Sequence, residues 1–133
     1  MGRALKLLLD THALLWWWDD DARLSKRVKK ALTDEANVVL VSAASAWEIA
    51  TKHRIGKLPG AQRVVREFND LVVSDGFGHL AISYQHSLHA GAYASAHRDP
   101  FDRMLAAQAE IESALLVSND AALKSLGVKC YWS

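Results

Sequence analysis

The chain has one cysteine, no surplus of either charge and no long uncharged apolar run. A single thiol, Cys130, excludes an intramolecular disulfide, and its place in an apolar stretch reads as a core side chain rather than a reactive one. Sixteen basic residues against fifteen acidic ones leave a formal net charge of +1. Nucleic-acid binding by bulk charge alone calls for a far more basic chain, so any such contact must come from local basic patches. No apolar stretch approaches the roughly 20 residues of a membrane span. The first acid, Asp10, follows only the short run Leu5 to Leu9, which includes Lys6 and is too little for a secretory signal. These absences predict a cytoplasmic protein with no membrane segment.

What is present fits one folded domain over residues 1–133, half hydrophobic and 23% charged, without internal repeat, low-complexity tract or linker. Strand-like and helix-like segments alternate, which predicts an α/β fold around a parallel sheet. Leu5 to Leu9, Val38 to Val41 and Leu115 to Val117 read as buried strands. Shorter strands are expected at Leu80 to Ile82 and Val128 to Trp132. Helices are expected from His12 to Trp18, through Leu24, Val28 and Leu32, and from Ser42 as N-cap to Gly56 as C-cap. Others are expected over Val64 to Val72, after Ser83, from Asp99 as N-cap with Pro100 at the first helical position, and through Leu123 and Leu126 before Gly127.

Three strand-to-helix junctions carry an acid. Asp10 follows the first strand, Glu48 lies in the second turn after the second, and Asp120 follows the third. Ligand sites in open parallel sheets sit outside the carboxyl ends of the strands. That placement predicts that the three acids meet in space, with Asp102 joining from the first turn of its own helix. Clustered carboxylates repel one another unless a cation sits between them. An all-oxygen donor set points to Mg²⁺ or Mn²⁺ rather than zinc, and a divalent ion held that way suits phosphodiester hydrolysis. Each acid taken alone has a structural alternative. Asp10 and Asp99 could cap helices, Asp102 could answer a helix dipole, and Asp120 could stabilise a turn. Glu48 could sit on a solvated helix face.

The residues around these acids form recognisable motifs. Leu8-Leu9-Asp10-Thr11-His12-Ala13-Leu14-Leu15-Trp16 resembles the opening motif of PIN-domain proteins, in particular the VapC toxins of toxin–antitoxin pairs. Ser42-Ala43-Ala44-Ser45-Ala46-Trp47-Glu48-Ile49 resembles the second motif. The third is matched by the run from His97-Arg98-Asp99-Pro100-Phe101-Asp102-Arg103 to Ala109, the most specific of the set. Leu116-Val117-Ser118-Asn119-Asp120 resembles the fourth. The resemblance implies a three-layer α/β/α sandwich with a short parallel sheet. It places Asp10, Glu48, Asp102 and Asp120 on the family's metal-binding acids, and it implies endonucleolytic cleavage of RNA by a metal-activated water. Thr11, Asp99, Ser118 and Asn119 lie within the matched motifs as candidates to support those ligands. A homodimer and a VapB-type antitoxin over the acidic groove are implied as partners. Ser118 stands where relatives often have threonine, and Tyr93-Ala94 stands where many have Leu-Pro.

Lys52, Arg54, Lys57, Arg98 and Arg103 flank the expected groove and could meet RNA phosphates. Ordinary solvated lysines and arginines are an equal account, and Arg103 could instead pair with Glu110. The run Trp16-Trp17-Trp18 cannot turn every ring to one core. An outward ring there reads as a protein contact in preference to a base stack. A PIN-like module that binds RNA or protein without catalysis is the alternative function. A phosphatase using Asp10 as nucleophile is disfavoured, because His12 stands where a second aspartate is expected.

Overall fold

Leu7, Leu8 and Leu9 are each wholly buried, and they set the layering. They belong to β1 (Lys6–Leu9). Side chains alternate across a strand, so Leu7 and Leu9 enter one hydrophobic cluster and Leu8 enters another. The structure is a computed structural model and describes residues 3–133. β1 is the middle of a five-stranded sheet in the order β3-β2-β1-β4-β5, every pairing parallel. β2 (Val38–Ser42) and β4 (Leu115–Val117) flank it, with Leu8 opposite both Leu40 and Leu116. β3 (Gly78–Leu80) and β5 (Cys130–Tyr131) form the edges.

Eight helices among the described residues cover the two faces. One cluster takes Leu14 from α1 (Thr11–Trp18), Val28 and Leu32 from α2 (Lys26–Thr33) and Ile49 from α3 (Ala43–Arg54). It also takes Val64 from α4 (Gln62–Arg66) and Val72 from α5 (Phe68–Ser74). The other cluster is built on Leu105, Ala106 and Ala109 of α7 (Pro100–Ile111) and Leu123 of α8 (Ala121–Lys124). α6 (Tyr84–Ala92) packs against α7. Helices on both faces of a parallel sheet give the expected three layers. No helix among the described residues is long and apolar enough to cross a membrane.

Several elements differ from the sequence expectation. The helix expected across Val64 to Val72 is two, α4 and α5, bent at Glu67. Backbone hydrogen bonds persist on both sides of the bend, and Phe68 just past it meets Trp18 edge to face at 5.5 Å. The edge strand expected at Leu80 to Ile82 lies at Gly78–Leu80 instead. Leu80 is already opposite Ser42, the last residue of β2, so Ala81 and Ile82 have no partner strand. The last strand is shorter than Val128 to Trp132, because β4 offers only three residues to pair with. α8 stops at Lys124, before Leu126, which is nevertheless buried.

The three consecutive tryptophans are all half-buried against the same cluster, not divided between core and surface. α1 is flanked on both sides, which makes this possible. Trp16 meets Trp132 and lies under the Arg23 guanidinium. Trp17 meets Phe77 and Trp18 meets Phe68, while both indole N–H groups donate to Asp75 Oδ2, at 2.9 and 2.8 Å.

Candidate functional site

Parallel strands all end at one edge of the sheet, and the candidate acids collect there. Asp10 follows β1 directly and caps α1, its Oδ1 accepting the Ala13 amide at 2.7 Å. Thr11 comes next and is buried. Its hydroxyl donates to Glu48 Oε1 at 2.6 Å and shares a 3.0 Å hydrogen bond with the Ser45 hydroxyl. Glu48 is only 3% exposed. It is carried inward because Ser42 ends β2 and at once caps α3, accepting the Ala44 amide at 2.9 Å. One turn further on, Lys52 donates its ammonium to Glu48 Oε2.

Asp102 comes from α7. Asp99 Oδ1 accepts the Phe101 and Asp102 amides at 2.9 and 3.2 Å, so Asp99 is the N-cap, with Pro100 first in the helix and Asp102 in its opening turn. Asp102 Oδ2 is bonded to His97 Nε2 at 2.9 Å. Asp120 ends the loop after β4 and caps α8, accepting the Ala122 amide at 2.9 Å. Its own amide donates to the Ser118 hydroxyl at 3.0 Å, and the wholly buried Ser118 lies close enough to the Asp10 carboxyl to favour its charged form. Asn119, between them, is exposed. Asp10, Glu48 and Asp102 thus lie close enough for their charges to act on one another, Asp102 on Asp10 and Glu48 on Asp102, while Asp120 stands at the end of the neighbouring strand and shares with Asp10 only the nearby Cys130.

The electrostatics show strain between the acids. Burial pushes the Asp10 carboxyl up to about 6, against hydrogen bonds from Ser118 and Ala13 and the nearby His12, with the Asp102 charge adding to the rise. Asp102 is raised too, by burial first, and then by the charges of Asp99 and Glu48 against the His97 bond. Burial draws the Lys52 ammonium down, but the Glu48 hydrogen bond and the charges of Glu48, Asp99 and Asp102 outweigh it and raise it. The Lys52 ammonium and the His97 imidazole thus answer the carboxylates. Among the described residues no three His, Cys, Asp or Glu side chains converge closely enough to enclose an ion as they stand. Glu48 is drawn to Thr11 and Lys52, and Asp102 is drawn to His97.

Arg103 departs from its sequence expectation as a phosphate or Glu110 contact. Its guanidinium donates to five backbone carbonyls, those of Ala90, Gly91, Tyr93, Ser95 and His97. It ties down the loop before α7, and Tyr93 takes Glu110 instead, at 2.6 Å. Arg54, Lys57 and Arg98 are exposed at the end of α3, just beyond it and in the loop ahead of Asp99. Cys130 is half-buried on β5 rather than in the core, its thiol raised by burial and by Asp10 and Asp120 against the pull of Lys124.

Sequence reasoning assigned no role to Ser45 or to the His97 imidazole. The His97 position could have been found from its place just ahead of a capped helix carrying an acid in its first turn. It also left out Arg27 and Lys124, which line a pocket of about 340 Å³ opening beside Ser118 and Asn119. Arg27 is steadied there by stacking over Tyr131 at 4.2 Å.

Ribonuclease VapC16 of Mycobacterium tuberculosis is 39% identical over 62 residues, 47% of this chain and 44% of that protein, so less than half of the relative's length is matched. Among solved structures, VapBC2 from Rickettsia felis bound to a DNA fragment from their promoter superposes with a TM-score of 0.72 at 14% identity, over 97% of this chain and 100% of that one. VapBC-1 from nontypeable Haemophilus influenzae gives 0.69 at 14% identity, over 96% and 97% of the two chains. FitAcB from Neisseria gonorrhoeae gives 0.62 at 18%, over 94% and 96%. At such identities these likenesses speak for the fold. Residues 7–129, from the first wholly buried leucine of β1 to the residue before β5, match the PIN domain model, and the chain belongs to the PIN domain family.

Proposed function

We propose that the chain is a divalent-metal-dependent endoribonuclease that hydrolyses RNA phosphodiester bonds, and the toxin of a toxin–antitoxin pair. The observation that carries this reading is the position of Asp10 and Asp102. They stand on different elements in a buried setting, each raised by burial and by neighbouring carboxylates. A cation between such groups removes their repulsion.

The donor set fits a hard ion. Asp10, Glu48, Asp102 and Asp120 offer only oxygens, which suits Mg²⁺ or Mn²⁺. Magnesium keeps several waters and takes few protein carboxylates, so a closed protein cage is not required. Glu48 and Asp102 would turn from Lys52 and His97 to hold it. When bound, the ion supplies Lewis acidity and a water of lowered pKa for attack on a phosphate. Thr11, itself bonded to Ser45, fixes Glu48, and Ser118 holds the Asp120 backbone. Asp99 holds the first turn of α7 so that Asp102 faces the others, and Asn119 stands at the rim. Lys52, Arg54, Lys57 and Arg98, together with Arg27 and Lys124, are the groups to meet RNA phosphates.

The toxin assignment is supported by likeness to a VapC ribonuclease and to VapBC structures. By that likeness the partners are a VapB-type antitoxin and a second copy of this chain, in the cytoplasm. One observation favours a second reading, a binding module without catalysis: both Glu48 oxygens and one of Asp102 already have protein partners. Cleavage of RNA in Mg²⁺ or Mn²⁺, with Mn²⁺ titrated calorimetrically, separates the two. The nuclease reading expects cleavage that Asp10→Asn and Asp102→Asn each abolish with the fold intact. Cutting by those variants at the parent's rate, or no saturable Mn²⁺ binding by the parent, refutes the metal assignment.

A further inference from the structure

Trp47 is 60% exposed, on a chain whose other tryptophans all pack into aromatic or hydrophobic surroundings. It is braced on one side: its ring and that of Phe101 meet edge to face, centroids 4.9 Å apart at 77°. Trp47 immediately precedes Glu48, and Phe101 immediately precedes Asp102. The aromatic pair therefore rises from the same two helices, at the same turns, as two of the acids. Along α3, Trp47 shares its face with Thr51 and the exposed Arg54, one and two turns on. Arg98 is exposed in the loop just ahead of Phe101.

We propose that Trp47, held by Phe101, is a stacking platform for one unpaired base of a single-stranded RNA beside the acidic site. An indole with a face in water offers a planar apolar surface that every base can cover, and the exposed guanidinium groups of Arg54, further along α3, and Arg98, ahead of α7, suit the adjoining phosphates. The run Trp16-Trp17-Trp18 cannot serve, since Trp17 and Trp18 are committed to Asp75 and Trp16 lies between Trp132 and Arg23. The mixed aromatic and basic surroundings favour a polyanion over a protein partner. An apolar face better suited to a protein lies elsewhere, on α6, where Tyr84 and Leu88 are 72% and 70% exposed with no arginine or lysine in the helix. A duplex keeps its bases stacked inside, so the platform selects single strands.

This inference rests on the nuclease reading and is tested without turnover. A fluorescein-labelled single-stranded RNA, and the same sequence as a duplex, are titrated in EDTA with the parent, Trp47→Ala and Trp47→Phe, and followed by anisotropy. Trp47→Ala is expected to weaken single-strand binding roughly 5- to 150-fold, the range for removing one base stack. Trp47→Phe should recover most of it, and duplex binding should be unmoved. Placing one abasic site at each position in turn should, at one position, cost the parent a similar factor and cost Trp47→Ala nothing. Parent-like single-strand binding by a folded Trp47→Ala overturns the platform alone. So does an equal loss on single strand and duplex, or intact RNA binding with loss of self-association in light scattering, which assigns the surface to a protein contact. No RNA binding by the parent, either in EDTA or with Ca²⁺ in its place, overturns the nuclease reading and the platform with it.

Discussion

Replacing Asp10 with asparagine separates two demands that fall on one side chain. The carboxyl caps α1, and it also carries a charge that its surroundings oppose. Asparagine caps about as well as aspartate, so the substitution isolates the charge. In the unfolded chain the group ionises near 3.8, and in the folded protein it does so near about 6. Between those values the folded state holds a proton that the unfolded state has lost, so stability falls as pH rises through the window. Above it the full penalty is present, about two units at about 1.4 kcal/mol each, or about 3 kcal/mol. In EDTA at pH 7.5, Asp10→Asn should therefore be more stable than the parent by about 3 kcal/mol, a rise in melting temperature on the order of 10 °C. Near pH 4 the two should nearly coincide. Thermal denaturation across that pH range reads the difference, and titrating groups shared by both proteins cancel. Added Mn²⁺ should raise the parent's melting temperature and leave the variant's unchanged. A difference that stays flat with pH, or an asparagine variant less stable at neutral pH, refutes the reasoning.

Lys52 competes with a metal for Glu48, so Lys52→Gln should tighten Mn²⁺ binding roughly 2- to 5-fold, the worth of a partly exposed ion pair. Weaker binding in calorimetry would mean that Lys52 positions Glu48 instead of competing for it. Arg103→Lys should destabilise the fold by about 2–4 kcal/mol, because an ammonium cannot span carbonyls that a planar fork reaches together. Urea denaturation reads that loss, and unchanged stability would deny Arg103 its structural part. The salt dependence of RNA binding should be the same with either residue at this position.

The parts of the fold legible in the sequence are those with a short-range cause. Strand ends at Asp10 and Ser42, and caps at Ser42, Ser83 and Asp99, are written within four residues of where they act. The edge strands were misjudged because partner length, not their own apolarity, sets where they stop. The α4–α5 bend lies beside Phe68, which meets Trp18, distant in sequence, and no local pattern announces it. At the site, residue types and topology were enough to bring Asp10, Glu48 and Asp102 within reach of one another's charges. Of the partners of those acids, Lys52 stands one helical turn beyond Glu48, a spacing the sequence does carry, whereas the pairing of His97 with Asp102 depends on how the loop ahead of α7 is folded. Arg103 misled for a related reason. A cation beside an acid looks like a phosphate contact until the loop carbonyls around it are seen.

The order of strands has a consequence for how the chain comes to be folded. β1 is the first strand to be synthesised, yet it is the middle of the sheet, and Leu7 must await Leu115, near the opposite end, before its second edge is covered. Three leucines that end wholly buried are thus the longest without their final neighbours. Pairing so distant in sequence is slow to form, and an apolar strand with an open edge is where a nascent chain aggregates. The hazard is greatest for a ribosome-bound chain that stops short of β4, and Lys6, at the start of the strand, is the one charge within β1 to oppose it.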